Sequence, residues 1–283
     1  MKVLYFKILF LAAFTSFLFV NCESDDTEEV IVVVEEEEED PIDPFSLERE
    51  DGGADAVNIL TEDVYTSLTI ELAYVEGDRP KQTSLDSLTA FINRRAYKSG
   101  GITYTETVLP SSAISSLAPI GDNDVNALEE QYRTQFRSDT DIAVWILMVN
   151  EDILDDDTVD ESVLGYVDTN TRMVMSIPNM ITEGEGTIES GYDGVESTTF
   201  QHEFGHWIGL VNGPSDDPVH GPGEHEGIDD EGEGTGHCKV ATCLMYVSGN
   251  NPFQEGYISR LQNGFLVELD ALCIADLQAL GGK

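Results

Sequence analysis

The stretch Phe200–Leu210, FQHEFGHWIGL, constrains the fold more than any other part of the chain. Phe200, Phe204 and Ile208 recur every four residues with Trp207 beside them, so a helix over Val195–Leu210 would carry one apolar face. At about 100° per residue, His202 and His206 fall on the far side from that face, one turn apart and pointing the same way. Two imidazoles spaced this way around a glutamate suit zinc. A pair of ordinary surface histidines is the plainer reading, but the chain has only 5 histidines and two of them take this spacing. Glu203 is turned slightly from the pair, where it would take a proton from a zinc-bound water and not ligate the metal. Zinc lowers the pKa of such a water to about 7, so a carboxylate can complete the deprotonation. Gly209 can enter the left-handed region, end the helix and send the chain back beneath the metal.

Upstream, the hydrophobic pattern alternates between strand and helix. Ser67–Val75 is β-rich and alternating, Ser84–Lys98 has Leu85, Leu88, Phe91 and Ile92 at helical spacing, and Ile102–Val108 reads as a second strand. Asp122–Phe136 repeats the helical pattern through Val125, Leu128, Tyr132 and Phe136. Asp141–Val149, DIAVWILMV, is nearly all apolar, as a central strand buried on both faces should be. Leu164–Ile177 reads as a hairpin turning at Asp168–Thr171. Together these elements predict an α+β fold, a mixed twisted sheet with helices packed against it.

Composition sets the surroundings. The 283 residues carry 55 acidic and 14 basic side chains, a net charge of -41, which repels phosphate backbones and excludes nucleic acid as a partner. Residues 1–21 read as a signal peptide, with Lys2 and Lys7 ahead of the apolar run Ile8–Val20. Cys22 follows, then Glu-Ser-Asp-Asp. This pattern resembles a bacterial lipoprotein signal, in which the cysteine is lipidated and becomes the mature N-terminus; an ordinary signal or an uncleaved anchor are the other readings. The acid-rich residues 22–54, with their prolines and paired glycines, are expected to be a disordered tether, leaving 55–283 as the globular domain. The implied location is extracytoplasmic, an outer-membrane or cell-surface lipoprotein touching the membrane only through a lipid on Cys22. The oligomeric state is left open. Cys238, Cys243 and Cys273 remain, an odd number for an oxidising compartment, and they read as one disulfide plus a thiol or as a metal site.

HEFGHWIG resembles the start of the metzincin signature H-E-x-x-H-x-x-G-x-x-H, but Asn212 stands where the third histidine belongs, and a neutral amide is a poor zinc ligand. Further on, GHCKVATCLMY is similar to the archaemetzincin pattern in which the third ligand is followed by C-x4-C-x-M. The resemblance extends to secreted bacterial metzincin-like lipoproteins with HEFGH-x-x-GLVN, a spacer, HC-x4-CLMY and a C-terminal C-x-x-DL. It implies that Asn212–Gly236 is an inserted loop and that His237 joins His202 and His206 as the third metal ligand. His220, His225, Asn212, Asp216 and Asp217 are the alternatives. It also implies a zinc helix under a cleft, Met245 as the methionine turn, a C-terminal helix, and Cys238, Cys243 and Cys273 with Asp276 as a second zinc site if no disulfide forms. The function implied is that of a zinc metalloendopeptidase acting on peptide or protein substrates laid along an edge strand within Gly165–Ile177, with Glu203 as the general base. A non-catalytic surface lipoprotein with a structural zinc is the rival reading.

Overall fold

The β-branched run SLTIELAYV forms strand β1 (Ser67–Val75) after a short helix α1 (Ala56–Leu60), and helix α2 (Gln82–Arg95) follows. Leu85, Leu88, Phe91 and Ile92 lie on one face of α2 and are buried in the core that they share with Leu68, Ile70 and Leu72 of β1. In this computed structural model the residues described are 43, 45–155, 158–159, 163–184, 191–210, 226–228, 234–246 and 267–283. The signal segment, Cys22 and most of the acidic tether lie outside them. So do Asn212, Asp216, Asp217, His220 and His225.

Strand β2 (Gly101–Leu109), helices α3 (Ser111–Ser115) and α4 (Asp122–Tyr132) and strand β3 (Asp141–Val149) come next. β1 pairs in parallel with both β2 and β3, and parallel neighbours need a crossover, which α2 and α4 supply. After the two-residue strands β4 (Leu154–Asp155) and β5 (Thr158–Val159), the chain forms the hairpin of β6 (Gly165–Thr169) and β7 (Arg172–Ser176). Helices α5 (Ile177–Gly184) and α6 (Gly191–Trp207), the strand pair β8 (Glu226–Ile228) and β9 (Gly234–Cys238), and a C-terminal helix (Ala271–Ala279) complete the order. The main sheet runs β2-β1-β3-β7-β6, with β6 antiparallel at one edge. The expected mixed sheet with packed helices is present. Its helices alternate with strands as parallel crossovers, where an α+β fold would segregate them.

Alternation along β3 feeds both faces of the sheet. Ile142, Val144, Ile146 and Met148 join the core beneath α2 and α6, while Trp145, Leu147 and Val149 join the core that holds Ile114, Val125 and Leu128 of α3 and α4. Several boundaries differ from the sequence expectation by a few residues, α2 ending at Arg95 and not at Lys98 among them, and two have a clear cause. α4 stops at Tyr132 and not at Phe136, because Arg133 leaves the helical conformation and its guanidinium enters a buried ion-pair network with Glu48 and Glu129. The tether was expected to reach residue 54, yet the chain is already packed from Phe45 onward. Glu48 is 1% exposed, and an acidic residue is buried only when it is paired, as this one is with Arg133 and Arg137. Charge density alone does not reveal such partners, which are 85 and 89 residues away in sequence.

The Phe91 ring meets Phe204 of α6 edge-on, with centroids 6.3 Å apart, and both are fully buried. Phe91→Ala should therefore destabilise the protein by about 3–5 kcal/mol in urea unfolding. A loss below about 1 kcal/mol would show that α2 and α6 do not pack through this ring.

Candidate metal centre

Every residue of α6 from Val195 to Gly205 is buried. The stripe of Phe200, Phe204 and Ile208 sits in the main core, and the opposite face is covered in turn by the segment His237–Tyr246. Two contacts fix that cover. The Nδ1–H of His202 donates to the Leu244 carbonyl at 2.8 Å. At Gly205, one turn along the helix face, a Cβ would run into the Met245 sulfur. Met245 thus lies directly beneath the histidine helix, and Gly205 is needed for the close approach.

The hydrogen bond to Leu244 also sets the chemistry of His202. A carbonyl only accepts, so the proton sits on Nδ1 and the lone pair of Nε2 points away from it. The Nε2 atoms of His202 and His206 face one another at 3.2 Å. His237 at the end of β9 completes the group, its ring nearly parallel to that of His202 with centroids 5.3 Å apart and perpendicular to that of His206 at 5.2 Å. One ring nitrogen from each of the three histidines lies within 4.8 Å of the others. Two nitrogens about 2.0–2.1 Å from a tetrahedral zinc stand about 3.3–3.4 Å apart, so the His202–His206 spacing fits such an ion closely. Burial pushes His202 down to about 4, with the neighbouring His237 adding to it. Burial and the other two rings lower His206 well below the usual histidine range. Both are neutral near pH 7, the form that ligates.

Glu203 lies between the two ligand candidates in sequence but outside their cluster, with Oε2 at 4.0 Å from His206 Nε2. Burial alone pushes its carboxyl up to about 8. Its other neighbour is the edge strand: a Cβ at Gly165, the first residue of β6, would stand 3.2 Å from Glu203 Cγ and 2.9 Å from the Val174 carbonyl oxygen. The absent side chain leaves room for the carboxyl against the strand. Beyond the histidines the helix ends as expected, with Gly209 at φ +81° and the Leu210 amide bonded to the Gly205 carbonyl.

A second donor cluster lies along the same segment. Cys238, Cys243, Cys273 and Asp270 offer ligand atoms within 4.8 Å of one another. None of the three is disulfide-bonded, and Cys243 Sγ stands 3.5 Å from Cys273 Sγ, far beyond the 2.03–2.05 Å of a disulfide bond. The disulfide that the sequence left open is not formed here. Asp270 takes the place expected of Asp276 in this cluster. Its Oδ1 caps the C-terminal helix by accepting from the Leu272 and Cys273 amides, and its Oδ2 lies 3.7 Å from Cys238 Sγ. The sequence did carry a signal for it, because an aspartate directly before the apolar run ALCIADL marks a helix N-cap. The neighbouring Cys238 and Cys273 thiols, together with the Asp270 and Met245 amides that donate to Cys243 Sγ, lower the pKa of Cys243. Three thiols and a carboxylate make a donor set that can hold zinc.

No family model matches the chain, and no curated protein matches it. Among solved structures, the chain is similar to an archaemetzincin from Methanopyrus kandleri, at 15% identity with a TM-score of 0.45, over 76% of this chain and 96% of that one. It is also similar to a zinc-dependent peptidase from Methanocorpusculum labreanum, at 13% identity with a TM-score of 0.43, over 74% and 99% of the two chains.

Cobalt loading separates the two clusters. The reduced protein should show a thiolate-to-cobalt charge-transfer absorption that Cys243→Ser abolishes and His237→Ala preserves. His237→Ala should instead remove the cobalt bound by imidazole alone. Loss of both signals in either variant would mean that the clusters are not separate sites.

Proposed function

We propose that the chain is a zinc-dependent endopeptidase of metzincin type, exported and anchored at the cell surface, with His202, His206 and His237 as the metal ligands and Glu203 as the general base. The observation that carries this reading is the convergence of three ring nitrogens within 4.8 Å beside a buried carboxyl. The two facing Nε2 atoms at 3.2 Å can share the single N–H of a neutral His206, and with that proton released the same pair would present two lone pairs to a cation. A purely structural zinc would be closed by four protein donors. Among the described residues, no fourth histidine, cysteine, aspartate or glutamate joins this group.

Zinc bound there would polarise the scissile carbonyl and lower the pKa of a water to about 7. Glu203 accepts the proton of the attacking water and delivers it to the leaving amine. Burial raises the proton affinity of the carboxyl and so lets it hold the proton until the amine departs, while the charge of a bound zinc beside it would draw it back toward the ionised form that the first step needs. Gly165 brings the antiparallel edge strand β6 up to Glu203, where an extended peptide could add to the sheet through main-chain hydrogen bonds. The peptide or protein substrate would then lie across the carboxyl with its backbone held by the strand.

Export rests on the sequence alone: the basic and apolar start of the chain, then Cys22 and the acidic residues behind it. Among the described residues, no helix is long and apolar enough to cross a membrane. In this reading a lipid on Cys22 is the anchor.

Glu203→Gln should leave zinc content unchanged while hydrolysis of a peptide substrate falls by about two to four orders of magnitude. Full activity in the zinc-loaded variant would remove Glu203 from the mechanism, and the absence of activity in the zinc-loaded wild type would favour a structural zinc. For the anchor, Cys22→Ser should move the protein from the membrane fraction to the soluble one. A processed Cys22→Ser protein that stays with membranes would rule out lipidation at this residue.

A further inference from the structure

Where the acidic segment meets the domain, a short stretch of chain is tied both to the β6–β7 hairpin and to the end of α6. On one side it holds the tip of the β6–β7 hairpin. The Asn170 amide donates to the Glu50 carbonyl, its Nδ2 donates to the Leu47 carbonyl and to Asp55, and Thr171 Oγ donates to the Glu48 carbonyl. Asp51 and Thr169 form a β-bridge. On the other side it meets the end of α6. Gly53, at φ +85°, passes so close that a Cβ there would lie 3.4 Å from the His206 carbonyl and 3.5 Å from Gly209 Cα. Trp207 Nε1 donates to the Thr169 carbonyl and so joins the helix end to the hairpin tip.

These contacts stand where the sheet itself is weak. The pairing of β6 with β7 loses register between Tyr166 and Thr169, so the ladder does not fix the edge strand along its whole length. Gly52 approaches Val167 in that irregular stretch. Beneath it, Glu48 accepts from Arg133 and Arg137, and Arg133 bonds in turn to Thr171 and to Glu129, which also holds Arg172 of β7. The anchor is therefore buried charge, which tolerates only a narrow geometry.

We propose that Phe45–Asp55 is an internal clasp that fixes the β6–β7 hairpin against the C-terminal end of α6, with Asn170 and Glu48 as positioning residues. The clasp fixes the tip of the hairpin, and through the irregular stretch of β6 it bears on the Gly165 edge beside Glu203. Its effect on catalysis rests on the peptidase reading, but its effect on the hairpin does not. A loosened clasp frees the edge strand before the rest of the sheet, because β1, β2 and β3 keep their own continuous parallel ladders.

The experiment compares full-length wild type with Asn170→Ala and with Glu48→Gln by hydrogen–deuterium exchange and by zinc content, and measures kcat and KM on a quenched fluorogenic peptide that the wild type cleaves. In Asn170→Ala, exchange should rise at least tenfold across 165–172 and stay unchanged across 67–75 and 141–149. Zinc content should hold, and kcat/KM should fall at least tenfold, chiefly through KM. Glu48→Gln should move the same segment in the same direction. If that variant fails to fold, the Asn170→Ala exchange map alone decides. Unchanged exchange at the hairpin, or a rise of equal size throughout the sheet, would overturn the clasp. A wild type with no peptidase activity would overturn the peptidase reading and leave the exchange map to judge the clasp.

Discussion

The hydrogen bond from His202 Nδ1 to the Leu244 carbonyl joins parts of the chain 42 residues apart, and the candidate centre depends on it. It fixes the tautomer of His202, aims Nε2 at His206, and holds the Cys243–Met245 turn across the far face of α6. Without it, neither the tautomer of His202 nor the aim of its Nε2 would be set. With it, one ring is locked by a neutral acceptor whose own position is set by sheet-like contacts: the Leu244 amide donates to the Glu268 carbonyl and the Cys238 amide to the Met245 carbonyl. Pre-orienting a ligand in this way removes ordering entropy from the binding step.

Local pattern made much of this legible. The bounds of β1 and β3 follow directly from runs of β-branched and apolar residues, and α2 from Leu85, Leu88, Phe91 and Ile92, since one buried face demands one period. The histidine helix was equally plain, because i and i+4 spacing has a single geometric meaning. What local pattern could not give is partnership at long range. The segment Phe45–Ala54 looks like a continuation of the acidic tether by composition, yet its glutamate and arginine find buried partners on α4 and beyond. The motif spacing points to Asp276, whereas the carboxylate beside the thiols is that of Asp270, which an ordinary N-cap places there. The tight fits at Gly165 and Gly205 depend on Glu203 and Met245 approaching from other elements, and no single segment encodes that.

The arginine network shows how charge is distributed in so acidic a chain. Of 14 basic residues, Arg49, Arg133, Arg137 and Arg172 all pair within one connected group of carboxylates. Buried ion pairs contribute little net stability, since desolvation offsets most of the attraction, but breaking one costs about 3–5 kcal/mol. Such a group therefore acts less as a source of stability than as a penalty on every alternative arrangement. In a chain with net charge -41, most misplaced docking of the N-terminal segment would set carboxylate against carboxylate. Concentrating the guanidinium groups at one place leaves that segment a single favourable seat.

The short segment His237–Tyr246 carries a different tension. It supplies His237 to one cluster and Cys238 and Cys243 to the other, and between them the Leu244 carbonyl and Met245 that brace α6. Both clusters gather polar donor atoms where the surrounding residues are apolar: Leu244, Met245, Phe204 and Leu277 are fully buried. Polar atoms brought together in such a place, with lone pairs converging, oppose folding unless something satisfies them. A bound cation does so, and its binding free energy then becomes part of the folding free energy. The segment that looks most like a ligand-bearing loop thus gathers donor atoms at a cost, and the His202–Leu244 and Leu244–Glu268 hydrogen bonds, with the Met245–Gly205 contact, are what hold it there.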